Sequence, residues 1–160
     1  MHLSRKDGET PEFTPDNIRD ALKAGTSVST IGPWGVETII NALVDSKIDV
    51  SVSFAIFGEL SGLVFAPVTP ISNSEEICGS MRVSSMTNPK SLSVAVRKTL
   101  QEKTHIDVSM ISRTSINISV KAIAIASKQE KLTFSVSGSE FEESETDNVK
   151  KVHTFRVTKC

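Results

Sequence analysis

The sequence predicts an α+β protein built from two similar units in tandem, and three observations carry that expectation. Segments with apolar residues at helical spacing interleave with segments that alternate. The stretch Ile18 to Phe54 resembles the stretch Val96 to Ser137, an internal repeat of about 80 residues. The third observation is "SRTSINISVKAIAIASK", residues 112–128. Its alternation from Ile116 to Ala126 suits a strand, while Ile116, Val120, Ile123 and Ala124 share a helix face. The repeat decides between them. Residues 112–128 align with 32–47, whose spacing is helical, and the run is too long for an ordinary strand.

Thr14 as cap and Pro15 in a first turn open a helix that Gly25 ends. "TSVSTIG" is a short strand, and "GVETIINALVDSK" is helical at Val36, Ile39, Ile40 and Leu43. "IDVSVSFAIF" and "GLVFAPV" read as a hairpin around a Gly-containing turn. The second copy repeats helix, strand, helix, strand, strand, with Pro89 opening "KSLSVAVRKTLQEK". It adds an initial strand, "SMRVSS", for which the first copy has no clear counterpart. The expected division is a polar tail at 1–13, a first unit at 14–72, a linker at 73–80 and a second unit at 81–160.

Of the 160 residues, 38% are hydrophobic and 23% charged, enough for a packed core. No segment has the roughly 20 apolar residues of a membrane span, and no leader-like apolar run opens the chain. Cys78 and Cys160 form no CxxC pair and suit free thiols in a reducing compartment, so a soluble cytoplasmic protein is expected. Net charge is -1, unevenly spread: Ile77 to Ser139 holds 9 basic and 3 acidic residues, whereas "EFEESETD" holds five carboxylates. Walker loops, dinucleotide fingerprints, nucleophile elbows and metal-ligand spacings are all missing. The expectation is a protein that is not an enzyme and takes no cofactor or metal.

"RVSSMTNPKSLSVAVRKTLQE", from Arg82 to Glu102, and "INISVKAIAIA", from Ile116 to Ala126, resemble the stage V sporulation protein S family, small relatives of the Alba nucleic-acid-binding proteins. The resemblance covers residues 80–159, and reaches 14–72 only through the internal repeat. It implies β-α-β-α-β-β units with two helices on one face of a small mixed sheet. It also implies pairing of units, inside the chain or as a homo-oligomer, and binding of RNA or DNA through basic loops and helix ends. Two departures stand out. Met86 occupies a position where a basic residue is expected, and the hairpin arm is the acidic "GSEFEESETD".

Gly32-Pro33-Trp34-Gly35 resembles the GxxG of KH domains, which clamp a nucleic-acid backbone. It also reads as a simple strand-to-helix turn. In the repeat alignment it lies opposite Ser112-Arg113-Thr114-Ser115, so both quartets open a helix whose free N–H groups suit phosphate. The candidate nucleic-acid-binding residues are therefore Gly32, Trp34, Gly35, Arg113, Thr114, Ser115, Asn117 and Lys121, with Lys90 and Arg97 widening the patch. Trp34 offers a ring for stacking. Lys121 serves phosphate or simply snorkels from an apolar helix. RNA or a single strand is the expected ligand; duplex DNA and a protein partner are the alternatives.

Overall fold

The computed structural model describes residues 2–3, 14–68, 78–142 and 149–159. In the first half, Thr14 accepts the N–H of Asn17 at 3.2 Å and Pro15 begins α1 (Pro15–Lys23). Ile18 and Leu22, one turn apart, bury its apolar face, and Gly25 at φ +86° reverses the chain. β2 (Val28–Thr30) then leads into α2 (Pro33–Leu43). A left-handed turn through Asp45 and Lys47 enters β3 (Asp49–Phe57), which pairs with β4 (Leu60–Val68). Where the sequence shows no clear first strand, the structure places β1 (His2–Leu3) parallel to β2. Two residues are too few for any alternation to mark them.

The second half runs β5 (Cys78–Arg82), α3 (Pro89–Glu102), β6 (His105–Met110), α4 (Arg113–Ser127), β7 (Leu132–Glu142) and β8 (Val149–Lys159). β5 starts inside the segment read as linker; most of that linker, most of the N-terminal tail, residues 143–147 of the acidic loop and Cys160 lie outside the described residues. Asn88 caps α3, its Oδ1 accepting the N–H of Lys90 and Ser91 at 2.9 and 3.2 Å.

Strand order is β1-β2-β4-β3-β7-β8-β6-β5 in one mixed sheet. The first four strands follow the same connectivity as the last four, read from opposite edges inward. The sheet runs unbroken across the boundary expected between two units. β3 and β7 meet antiparallel at the centre, with Val50 opposite Phe134, the very residues that the repeat aligns. Pairing these two strands removes the edges that each half would otherwise expose. Asp45 adds a bond across the joint, its N–H donating to the Val136 carbonyl at 3.0 Å.

All four helices cover one face, packed in the order α1-α2-α4-α3. The central position of α4 explains its misleading pattern. With helices on both sides and the sheet beneath, Ile116, Ile118, Val120, Ala122, Ala124 and Ala126 are all buried, as in a helix apolar nearly all round. Asn117 and Lys121 lie along its outward stripe. Lys121 interrupts the apolar run because that stripe alone faces away from neighbours. Below it the core closes on Phe65, Phe134 and Phe155, all fully buried, each worth roughly 1.5–3 kcal/mol. The opposite sheet face is polar. Ser109 meets Thr154 at 3.2 Å, Thr133 meets Thr158 at 3.0 Å, and Arg156 donates to Asp107 at 3.0 Å.

Candidate nucleic-acid interface

The start of α4 is fixed by its own serines. Ser112 Oγ accepts the Ser115 N–H at 3.2 Å, and Ser115 Oγ accepts the Ser112 N–H at 3.0 Å. Ser115 is buried and its hydroxyl also donates to the Ser112 carbonyl at 2.8 Å, so its hydroxyl is engaged in the cap. Thr114 is exposed. Arg113, the first helical residue, reaches across to the other half and donates through Nε to Glu37 of α2 at 2.7 Å. That carboxylate raises the Arg113 pKa above its ordinary value by hydrogen bonding and charge.

Between the halves lies a cleft of about 850 Å³. Glu37, Asn41 and Asp45 line it from the first half; Arg113, Ser139, Lys151 and His153 line it from the second. His153 is 7% exposed, and its Nε2 is 2.9 Å from Asn41 Oδ1. Its Nδ1 is buried without a hydrogen-bond partner among the described residues. Burial lowers the pKa of this imidazole, Lys151 adds to the effect, and Glu37 opposes it.

A second hollow, of about 630 Å³, shares Ile111 and Val152 with the first, so the two adjoin. It lies at the carboxyl ends of the parallel strands β5 and β6, beside the cap of α4. Val83, Met110 and Ile111 make it apolar, Ser84, Ser109 and Ser112 bring hydroxyls, and Arg82 also lines it. Arg82, Arg113 and Lys151, all exposed, thus line two adjoining hollows.

The structure separates residues that the sequence grouped. Arg113 lines the large cleft, whereas Asn117 and Lys121 line a different hollow of about 100 Å³ beside Pro33 and Phe54. Lys90 is exposed on the first turn of α3. Arg97, two turns on, is partly buried with its Nε lacking a partner among the described residues. Neither lines the two adjoining hollows. Gly32 caps α2 at an ordinary φ of -105°. Gly35 is buried against Thr30, and Trp34 packs partly against the core. The turn reading of this quartet thus accounts for its glycine and its indole.

Arg82, Lys151, His153, Asn41 and Glu37 escaped the sequence reading. Glu37 and Asn41 are four apart on α2, so they share a face, but nothing local says that the face meets α4. Among the described residues no cluster of three metal-ligating side chains occurs, and no helix is long and apolar enough to cross a membrane.

No curated protein matches the chain. Residues 79–151 match the family described as Stage V sporulation protein S (SpoVS). This segment runs from the second residue of β5 through α3, β6, α4 and β7 to the start of β8, in the half that supplies Arg82, Arg113 and Lys151. Over that segment, a little under half of the chain, the protein is similar to the SpoVS family.

Proposed function

We propose that this chain is a non-enzymatic binder of single-stranded nucleic acid, RNA foremost, acting in the cytoplasm as an intramolecular pseudo-dimer. The observation that carries the reading is the pair of adjoining hollows, lined by Arg82, Arg113 and Lys151 together with apolar and hydroxyl side chains. Cations suit a phosphate backbone, and an apolar surface such as that around Ile111, 47% exposed, suits unstacked bases. Duplex DNA fits less well, since the overall charge is -1 and the basic groups are few.

The test is a mobility-shift panel with a 20-nucleotide oligouridylate, its DNA counterpart and a duplex at two salt concentrations. The RNA should bind tightest, and Arg82→Ala with Lys151→Ala should flatten the log-log salt slope by about 0.7 per lost contact. No shift of either single strand at low salt would refute the reading.

A second reading has its own observation. Ile56 is 79% and Leu60 57% exposed at the end of the β3–β4 hairpin, near exposed Ile31 and Phe54. Such a patch suits a protein partner. Ile56→Glu with Leu60→Glu should leave RNA binding unchanged on the first reading and abolish partner capture on the second.

A further inference from the structure

The large cleft has a counterpart. The same connectivity in both halves puts Ile31, Pro33 and Val36 in the places of Ile111, Arg113 and Ile116, and each set lines its own hollow. Across α2 and α4 the exchange continues, with Glu37 and Asn41 in one hollow and Asn117 and Lys121 in the other. The strands agree as well. Phe54 sits opposite Leu63 in the first half, where Gly138 sits opposite His153 in the second. Yet the hollows measure about 850 and about 100 Å³. Phe54 lines the small hollow at the place where Gly138, without a side chain and with Val44 Cγ1 2.9 Å from where a Cβ would sit, lines the large one, and Lys128 Nζ lies 4.9 Å over the Phe54 ring.

We infer that the chain carries one nucleotide-binding cleft rather than two, open at Gly138 and closed at its symmetry mate by Phe54. This rests on the proposed nucleic-acid reading and adds the position that decides occupancy. In the open cleft a phosphate of the strand pairs with Arg113 and Lys151, while Asn41, Ser139 and His153 face the sugar or base. The carboxylates facing the same space, Glu37 and Asp45, oppose it. Glu37 already holds Arg113, so phosphate must take the guanidinium from a carboxylate. The pair is exposed, with side-chain accessibilities of 58% and 28%, and such pairs exchange at little cost. In the closed hollow Pro33 stands where Arg113 would be and Ser61 where Lys151 would be, so that pair of cations is missing and Lys121, in the place of Asn41, is the cation that lines it.

The test is fluorescence anisotropy and native mass spectrometry of the full chain with a tetrauridylate, too short to bridge distant sites. One tetranucleotide should bind per chain. Gly138→Phe should weaken binding at least tenfold, and Glu37→Gln should strengthen it two- to fivefold. His153→Leu, which installs the residue of the closed hollow, should weaken it at least fivefold and keeps the test alive if Gly138→Phe does not fold. Two tetranucleotides per chain, or folded Gly138→Phe or His153→Leu chains that bind like the parent, would overturn this inference and leave the nucleic-acid reading standing. A parent that binds neither the tetranucleotide nor the longer strand would overturn both.

Discussion

Gly35→Ala separates a packing glycine from a ligand-clamping one. Gly35 lies in the first turn of α2, buried over β2. A methyl group there would sit 1.6 Å from Thr30 Oγ1 and 2.6 Å from Thr30 Cβ. Thr30 is 1% exposed and has no room to swing away, so α2 itself must move. Overpacking of this kind costs about 1–3 kcal/mol. Replacing glycine in a helix returns at most about 1 kcal/mol, and less in a first turn where few backbone bonds are at stake. The expected net loss is about 1–2 kcal/mol, or roughly 2–8 °C in melting temperature for a chain of this size. Urea titration followed by circular dichroism measures it. Thr30→Ala removes the hydroxyl and one methyl but leaves Cβ, so the double variant should be less destabilised than the sum of the singles by about 1 kcal/mol. A Gly35→Ala chain as stable as the parent, with an additive cycle, would refute the packing argument and return Gly35 to the clamp reading.

Ser112→Ala should cost about 1 kcal/mol in the same titration, because the Ser115 N–H loses its acceptor while Ser115 Oγ can still bond the Ser112 backbone; an unchanged midpoint would show that the cap is idle. His153, neutral in the fold and held below its ordinary pKa by burial, should make stability fall as pH drops below about 6.5, where the unfolded chain takes up the proton and the folded chain does not. The slope is at most about 1.4 kcal/mol per pH unit between pH 7 and 5.5, and His153→Leu should flatten it; a stability that rises on acidification over that range has the wrong sign.

Much of the fold was legible because local chemistry and burial agree. Thr14-Pro15, Asn88-Pro89 and Ser112 each put a cap before a helix, and each helix begins there. Residues 112–128 were harder, since burial on three sides of α4 erases helical periodicity, and only comparison with 32–47 recovered it. The site was less legible. Arg113 and Lys121 look like neighbours two turns apart on one helix, but α2 crosses between their surroundings and gives each a different hollow. Arg113's partner is 76 residues away, and His153's partner Asn41 is 112 away. Neither pairing leaves a mark in local spacing, because both depend on how two halves dock. Gly35 and Trp34 were ambiguous for another reason. A glycine required by close packing and a glycine required by a ligand are the same letter, and only Thr30 distinguishes them.

The antiparallel meeting of Val50 with Phe134 also bears on how the chain assembles. Each half contributes to this joint a strand whose hairpin and flanking helices come from its own sequence, and the two strands meet over a separation of 84 residues, a far longer loop to close than any within a half. Nothing in the geometry of β3 and β7 tells one chain's partner half from another chain's. Dilute refolding closes the joint within a molecule. At high concentration the first half of one chain is expected to compete for the second half of its neighbour, and size-exclusion chromatography after concentrated refolding would then show exchanged dimers absent from dilute refolding.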